Sequence, residues 1–497
     1  MMGRQQRVQK KLFYTKFSLD QRVPKNHILR KVAKYIDFDF IYKEVKDKYG
    51  INGNVSVPPP VILKMMLLLI FYNVRSEREL METIPVRLDW LWFLDYDLDD
   101  NIPNHSVLSK ARARWGVDTF RSFFERIVWQ CVQVGLVDGS KLFMDSSNIQ
   151  ADASNNSVVN KEDMKRYLKK SYRLFEQRLE KENANMNNND LTPPKSGTAN
   201  KKHFSTTDPD ASVHRQGGRS KLKYKVHRSV DEKREVITAT TVTTGSVNEA
   251  HLLKFLIESH KKTTGIKPKC CIADSKYGTI DNYLACYDLA IKSHFESFEK
   301  THRGSGRQKG IFAKEEFIYD PKGDVFICPE GEKLRRRRFS KQRRQFEYTA
   351  SLSVCRKCSF LSQCTRSKTG RSLKRHERQD HLDYMLGQSE SKESKNDIRT
   401  RQHLMERSFA RSCRYGYKRT RWRRTWRVQI QEYLTAAIQN IMVLLCHVKE
   451  PSAAMGMVAA RVNKKRASSN LLKSNFCFKK ELTIMIKNHL SLQYCFL

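Results

Sequence analysis

The sequence predicts an α+β protein of several domains, with a helical N-terminal part followed by a mixed α/β core that two insertions interrupt. Three observations carry this. A chain of 497 residues with 39% hydrophobic content is long enough for two to four domains, each with its own buried core. Apolar residues recur at helical spacing through residues 26–134. Beyond Gly139 the pattern changes to short apolar strands around one helix.

In the helical part, Ile28, Leu29, Val32 and Ile36 keep helical spacing behind an Asn26 cap, and Ser76 with Glu79 forms a capping box before Leu80. The longest apolar run, Val61 to Tyr72, spans 12 residues, includes Lys64 and reads as a buried helix. Pro103-Asn104-His105-Ser106 then turns the chain into a short basic helix with Lys110, Arg112 and Arg114. A second helix carries Val117, Phe120, Phe124, Ile127, Cys131 and Val134 on one face and stops at Gly135.

Strands follow at Lys141–Asp145, Lys223–Ser229 and Val236–Val242, then a helix over Ala250–Ser259 and a strand over Lys269–Asp274. Residues 161–183 read as a charged helix, and 184–206 are Asn-rich with too few apolar residues to pack. The expected domains are therefore a helical one at 1–138 and the first part of the core at 139–299, with a mobile insertion at 155–215. A basic, cysteine-bearing insertion at 300–390 follows, then helices completing the core at 391–450 and a basic tail at 451–497. Within 391–450, Tyr433, Leu434, Ala437, Ile438, Ile441, Met442 and Leu445 mark an amphipathic helix.

Lys and Arg total 93 against 53 Asp and Glu, a net charge of +40 that calls for a polyanionic partner, nucleic acid first. A membrane surface would attract the same charge, but the longest apolar run falls well short of the roughly 20 residues a spanning helix needs. No apolar stretch follows the N-terminal charges, so no secretory signal is read and a cytoplasmic place is expected. Eight of the twelve cysteines are scattered and read as reduced thiols. The other four, Cys328, Cys355, Cys358 and Cys364, cluster around a Cys-x-x-Cys pair. Structural Zn²⁺ on four thiolates and reduced thiols packing a small β insertion both fit that spacing.

Asp145 and Asp274 each close an apolar strand, a placement that exposes a carboxylate at a sheet edge on rigid backbone. Divalent-metal cleavage of a phosphodiester needs carboxylates converging from different elements in this way. A turn or cap aspartate explains each residue alone just as well.

The words around them narrow the choice. Leu142-Phe143-Met144-Asp145-Ser146-Ser147-Asn148-Ile149-Gln150-Ala151, Asp208-Pro209-Asp210-Ala211, Tyr224-Lys225-Val226-His227 and Ile272-Ala273-Asp274-Ser275-Lys276-Tyr277-Gly278 occur in that order. With Arg75 to Leu80, Asp99 to Ser106 and Gly135 to Gly139, they resemble the DDE-type transposases of bacterial insertion sequences, over roughly residues 15 to 450.

This resemblance implies a helical N-terminal DNA-binding domain followed by a ribonuclease H-like α/β catalytic domain with a β-rich insertion. It implies Asp145 and Asp274 as the two catalytic aspartates, and Glu406, in Leu404-Met405-Glu406-Arg407-Ser408-Phe409-Ala410, as the third ligand of Mg²⁺ or Mn²⁺. The sequence departs from the family pattern at Arg399, Gln402, Cys413 and Arg424. The activity implied is cleavage of element ends and strand transfer into target DNA. A decayed DNA-binding copy and a related nuclease without strand transfer are the alternatives. Double-stranded DNA is the expected partner, the chain acting as a homodimer away from any membrane.

Sequence reading of the DNA is expected from the helix with Lys110, Arg112 and Arg114, although a solvated basic face has the same pattern. Phosphate contacts are expected from Arg419, Arg421 and Arg423, in a run that interleaves two Trp with cations. Lys225 and His227 would steady phosphate oxygens or simply occupy an exposed strand edge.

Overall fold

The computed structural model describes residues 18–50, 54–160, 203–216, 219–296, 310–367 and 369–448, together with Met2. The charged stretch at 161–183, most of the Asn-rich segment and the basic tail lie outside the described residues. The chain divides into two units, Met1–Cys446 and His447–Leu497. Apart from His447 and Val448, the described residues belong to the first.

Its N-terminal part is helical: α1 (Ile28–Tyr35), α2 (Phe40–Val45), α3 (Pro59–Phe71), α4 (Glu77–Thr83), α5 (Leu88–Leu94) and α6 (Ser106–Gln133). Because α1 starts at Ile28, His27 rather than Asn26 caps it, its Nδ1 accepting from the Leu29 amide at 3.3 Å. Ser76 caps α4 through the Glu79 amide, but the Glu79 carboxylate accepts from Arg75 N, so only half of the capping box forms. The apolar run becomes α3, in which every residue from Pro59 to Ile70 is buried and Lys64 is matched by Asp95 at 2.6 Å. Gly116, with φ of 71° and ψ of 179°, breaks α6 between its basic first half and its apolar second half. That conformation is open essentially to glycine alone, which is why two helices rather than one are legible there.

The core sheet is built on β1 (Lys141–Gln150). On one side of it run β5 (Arg219–Asp231) and then β6 (Ile237–Thr244), both pairings antiparallel. On the other side run β7 (Cys270–Ala273) and β8 (Lys292–Phe295), both parallel. The region expected as a mobile insertion contains three short strands, β2 (Val158–Asn160), β3 (His203–Ser205) and β4 (Ser212–Gln216), the last forming a hairpin with the start of β5. Helices α7 (Leu253–Thr264) and α8 (Ile280–Asp288) connect β6, β7 and β8.

A second, five-stranded antiparallel sheet follows: β9 (Ile318–Asp320), β10 (Val325–Ile327), β11 (Lys333–Ser340), β12 (Gln345–Thr349) and β13 (Ser372–His376). It has its own core of Phe317, Phe326, Leu334, Tyr348 and Leu373. The chain returns to the main core sooner than 390, because α9 (Gln379–Ser389) places Leu382 and Met385 in the same apolar cluster as Leu142 and Met144.

Two long helices close the unit, α10 (Lys392–Arg414) and α11 (Thr425–His447). α11 is buried more completely than an amphipathic pattern requires, every residue from Val428 to Ile441 being inside. Its polar side chains serve the free edge of β6 instead. Gln429 Oε1 accepts from Val242 N at 2.6 Å, and Asn440 both accepts from Ile237 N and donates to Ile237 O. Side-chain amides thus take the place of a further strand at Ile237 and Val242. Asp210, in the Asp-Pro-Asp-Ala word, accepts from Thr425 N at 2.8 Å and so anchors the start of α11. None of the described helices is long and apolar enough to cross a membrane.

Arg228 and Glu432, both with no exposed side-chain surface, join β5 to α11 by two charge-assisted hydrogen bonds of 2.7 and 2.8 Å. Arg228 also donates to Ser408 O and Ser412 Oγ on α10, and Glu432 accepts from Thr240 on β6. Removing one partner of such a pair leaves a buried, unmatched charge. Glu432→Gln is therefore expected to lower stability by about 3 to 5 kcal/mol, whereas Arg228→Met with Glu432→Leu recovers most of that loss. Denaturant unfolding of both proteins checks this; equal losses would show that packing, and not charge, sets the cost.

Candidate active site

The parallel register of β1 and β7 brings the two strand aspartates together. Phe143 pairs with Ile272, so two residues further along each strand Asp145 stands level with Asp274. β7 ends at Ala273 while β1 continues to Gln150, and the site opens where the two strands part. Asp145 is thus mid-strand rather than terminal. Asp274 has extended backbone, φ −75° and ψ 175°, and leads the turn Ser275–Tyr277.

Each carboxylate has a distinct environment. Asp145 Oδ1 accepts from Ser146 N at 2.7 Å, and its Oδ2 takes the Arg401 guanidinium of α10 at 2.5 Å. Burial raises the Asp145 carboxyl and Arg401 opposes the rise. Asp274 Oδ1 is buried with no partner among the described residues. Burial first, then the charges of Asp145 and Glu249, push the Asp274 carboxyl up to about 6.

Glu249, the first residue of the turn after β6, is the acid that reading the sequence did not single out. Its side chain is 3% exposed, and its Oε1 is held by Lys225 Nζ at 3.0 Å and Lys276 Nζ at 3.2 Å. Burial works to raise its carboxyl, but the charge of Lys225, with hydrogen bonds from Ser146 and Lys225, outweighs it and holds the group below its usual range. Its Oε2 is buried and unpartnered among the described residues. Carboxylate oxygens are the hard donors that Mg²⁺ or Mn²⁺ takes, but the ligand atoms of Asp145, Asp274 and Glu249 do not all lie within 4.8 Å of one another.

Glu406 is not brought to this group. It is exposed on α10, and Gln402 of the same helix donates to it at 3.3 Å. Five residues separate it from Arg401, about 140° around the helix, so the face that reaches Asp145 presents Arg401.

The expected DNA-contact residues divide likewise. Lys110 and Arg114 are exposed, the latter over the Tyr49 ring. Arg112 instead is 3% exposed, ion-paired with Glu77 at 2.5 Å and stacked over Trp422, so it locks α6 to the C-terminal segment. His227 is fully buried against Thr243 at 2.9 Å, and Lys225 is committed to Glu249. Neither lies on an open edge, because β5 is paired on both sides. Arg421 is tied to Asn73 at 2.5 Å and to Val74 O. Arg419 and Arg423 remain exposed, both paired with Asp152. Their segment extends the sheet beyond the site, with Thr420 N donating to Gln150 O at 2.8 Å.

Cys328, Cys355, Cys358 and Cys364 are half-buried in the insertion. Burial raises the Cys364 thiol, Arg371 lowers it, and Cys355, Cys328 and Cys358 raise it further. A separate buried group of Cys270, His294 and Asp397 is closed by its own ion pairs, Asp397 holding Lys141 and His294 at 2.8 Å each.

Two family models match the chain: Transposase domain (DUF772) over residues 17–114 and Transposase DDE domain over residues 327–445. No curated protein matches it. Among solved structures, the cryo-EM structure of a piggyBac transposase synaptic complex with hairpin DNA is 10% identical with a TM-score of 0.31, the alignment covering 90% of this chain and 81% of that one.

A carboxyl whose folded pKa lies near 6 keeps its proton between about pH 4 and 6 while the unfolded chain has lost it. Asp274 therefore favours folding at the acid end of that window, and the advantage disappears as pH rises through about 6. In metal-free protein, Asp274→Asn is expected to raise the melting temperature at pH 8 by about 2 °C, with the gain vanishing near pH 4. Thermal scans in EDTA across this range test it, and a gain independent of pH would count against a strained carboxylate.

Proposed function

From the transposase and DDE domains that place this chain among the DDE-type transposases, we propose that it cleaves the ends of a bacterial insertion sequence and joins them to target DNA. The observation that carries this reading is the meeting of Asp145 and Asp274 where β1 and β7 part, with a buried carboxylate oxygen left open for a cation. The strand order supports a ribonuclease H-like core: three antiparallel strands, β6, β5 and β1, extended by two parallel ones, β7 and β8. Bound there, Mg²⁺ or Mn²⁺ supplies the positive charge that lowers the barrier to displacement at phosphorus.

The chain's own residues prepare the site. Arg401, Lys225 and Lys276 hold the carboxylates in place and partly neutralise them. Exposed Arg419 and Arg423, just past the end of β1, offer phosphate contacts, and Lys110 and Arg114 form the remaining basic face of α6. Glu406 is the third acid by family resemblance, and reaching the pair would require α10 to turn about its axis. The homodimer expected for a protein that acts on paired ends belongs to the same proposal. In the insertion, the four clustered cysteines offer soft donors suited to Zn²⁺, which would fold that sheet and take no part in the chemistry.

Asp145→Asn is expected to abolish Mg²⁺-dependent cleavage of end-containing DNA while leaving binding to that DNA within about twofold. Gel-based cleavage and filter binding on one preparation test both halves, and cleavage at the wild-type rate would remove Asp145 from the site. For the insertion, elemental analysis of reduced protein should find about one zinc per chain, absent after Cys355→Ser with Cys358→Ser. Zinc-free protein with an intact fold would leave four packed thiols instead.

A further inference from the structure

Lys333 to Arg344 carry eight cations in twelve residues and no acid, a run that the proposed chemistry leaves unused. β11 and the turn after it hold them in the insertion sheet. Leu334 pairs with Phe326 inside the apolar core of that sheet, so its neighbours Lys333 and Arg335 stand on the outer face. The register between β11 and β12 then shifts between Arg336 and Arg338, which pairs Arg338 with Glu347. Since Tyr348 lies in the core, Glu347 and Arg338 are on the outer face too, beside Lys374 of β13. β10 pairs with β11 only as far as Arg335, which leaves Arg336 to Ser340 along an edge of the sheet.

We propose that this face and edge bind the phosphate backbone of duplex DNA, a contact surface on the insertion separate from Arg419 and Arg423; the inference rests on reading the chain as one that acts on DNA. Partnering is the first argument. Arg336 is matched by Asp324 at 3.0 Å and Arg344 by Glu377, whereas Lys333, Arg335, Arg337, Arg338, Lys341 and Arg343 are exposed with no ion pair among the described residues. Asp324 is further engaged by Tyr319 at 2.9 Å and Tyr348 at 2.5 Å, and Glu347 offsets one charge at most. Residue type is the second. Edge strands are commonly blunted against self-pairing by Lys, but here four Arg follow one another, and the planar fork of Arg matches phosphate oxygens. Support from beneath is the third: Phe346 lies under Arg336 at 4.8 Å and against Phe339 at 4.7 Å, so the cations are mounted on ordered strand and lose little freedom on meeting a polyanion.

Arg335→Gln, Arg337→Gln, Arg338→Gln and Arg343→Gln combined in the full chain remove four charges while leaving Arg336 and the core of the sheet in place. Binding to a short duplex of arbitrary sequence, followed by fluorescence anisotropy across a salt series, is expected to weaken by about tenfold or more, with the slope of log affinity against log salt falling by about 2 to 4. Lys254→Gln, Lys261→Gln, Lys267→Gln and Lys269→Gln, on and just after α7, remove the same charge elsewhere and are expected to weaken binding by less than about threefold. Equal losses in the two proteins assign the effect to overall charge and overturn the inference. An unchanged slope in the first also overturns it while leaving the DNA reading standing. Wild-type chain with no affinity for the duplex overturns the DNA reading itself.

A second measurement needs no variant. Lys333, Lys341 and Lys374 are exposed on or beside this face, so bound duplex is expected to slow their acetylation by an amine-reactive reagent by about fivefold or more, read by mass spectrometry. Lys254 and Lys261 should react as in free protein. Equal protection of both sets, or none at Lys333 and Lys341, overturns the inference. Protection that needs no DNA and grows with protein concentration would assign the face to a second copy of the chain and overturn it as well.

Discussion

The ion pair of Arg228 with Glu432 is the constraint around which this molecule is arranged. Neither side chain touches solvent, so each charge is tolerable only while the other is present. Its reach is wide. Arg228 stands directly opposite Asp145 across the β1–β5 ladder, and its remaining donors take Ser408 and Ser412 on α10. The helix that delivers Arg401 to Asp145 is therefore located by a charge one strand away. A shift of α10 large enough to displace Arg401 would strain hydrogen bonds in the most buried part of the protein.

A pocket of carboxylates in a chain of net charge +40 is an electrostatic inversion. Under the proposed function, basic side chains would attract nucleic acid, while the site needs anionic ligands that would repel phosphate if left bare. The structure resolves this locally for two of the three acids, each faced by a cation: Arg401 at Asp145, and Lys225 and Lys276 at Glu249. Asp274 has no such direct partner among the described residues, and burial, with the charges of Asp145 and Glu249, pushes its carboxyl up to about 6.

Periodicity made the strands, the buried α3 and the two halves of α6 legible, because each depends on its own residues and on one solvent boundary. Asp145 and Asp274 were legible as strand-associated acids, although the register that sets them level is a property of two segments together. The residues that escaped depend on partners far away in sequence. Arg112 has the pattern of a groove-reading arginine until Glu77 and Trp422 close over it. The polar residues of α11 look solvated because their partners are the backbone groups of β6. Glu406 and Arg401 differ only in helical phase, which motif spacing does not fix relative to a sheet. Glu249 carries a weak local signal, an acid opening a turn after the third long strand, and gains meaning only once that turn is fastened beside Asp274.

The sequence distance spanned by the central ion pair has a consequence for biosynthesis. Arg228 precedes Glu432 by 204 residues, and at about 5 to 20 residues per second a ribosome needs roughly 10 to 40 s to make the intervening chain. For that interval β5 carries a guanidinium that the finished core would bury, with no carboxylate yet made to receive it. The sheet bearing the aspartates thus waits, open and hydrated, for the last two helices. A prematurely terminated product keeps both aspartates yet cannot close the core behind them, so competence at this site arrives only with the complete C-terminal helices.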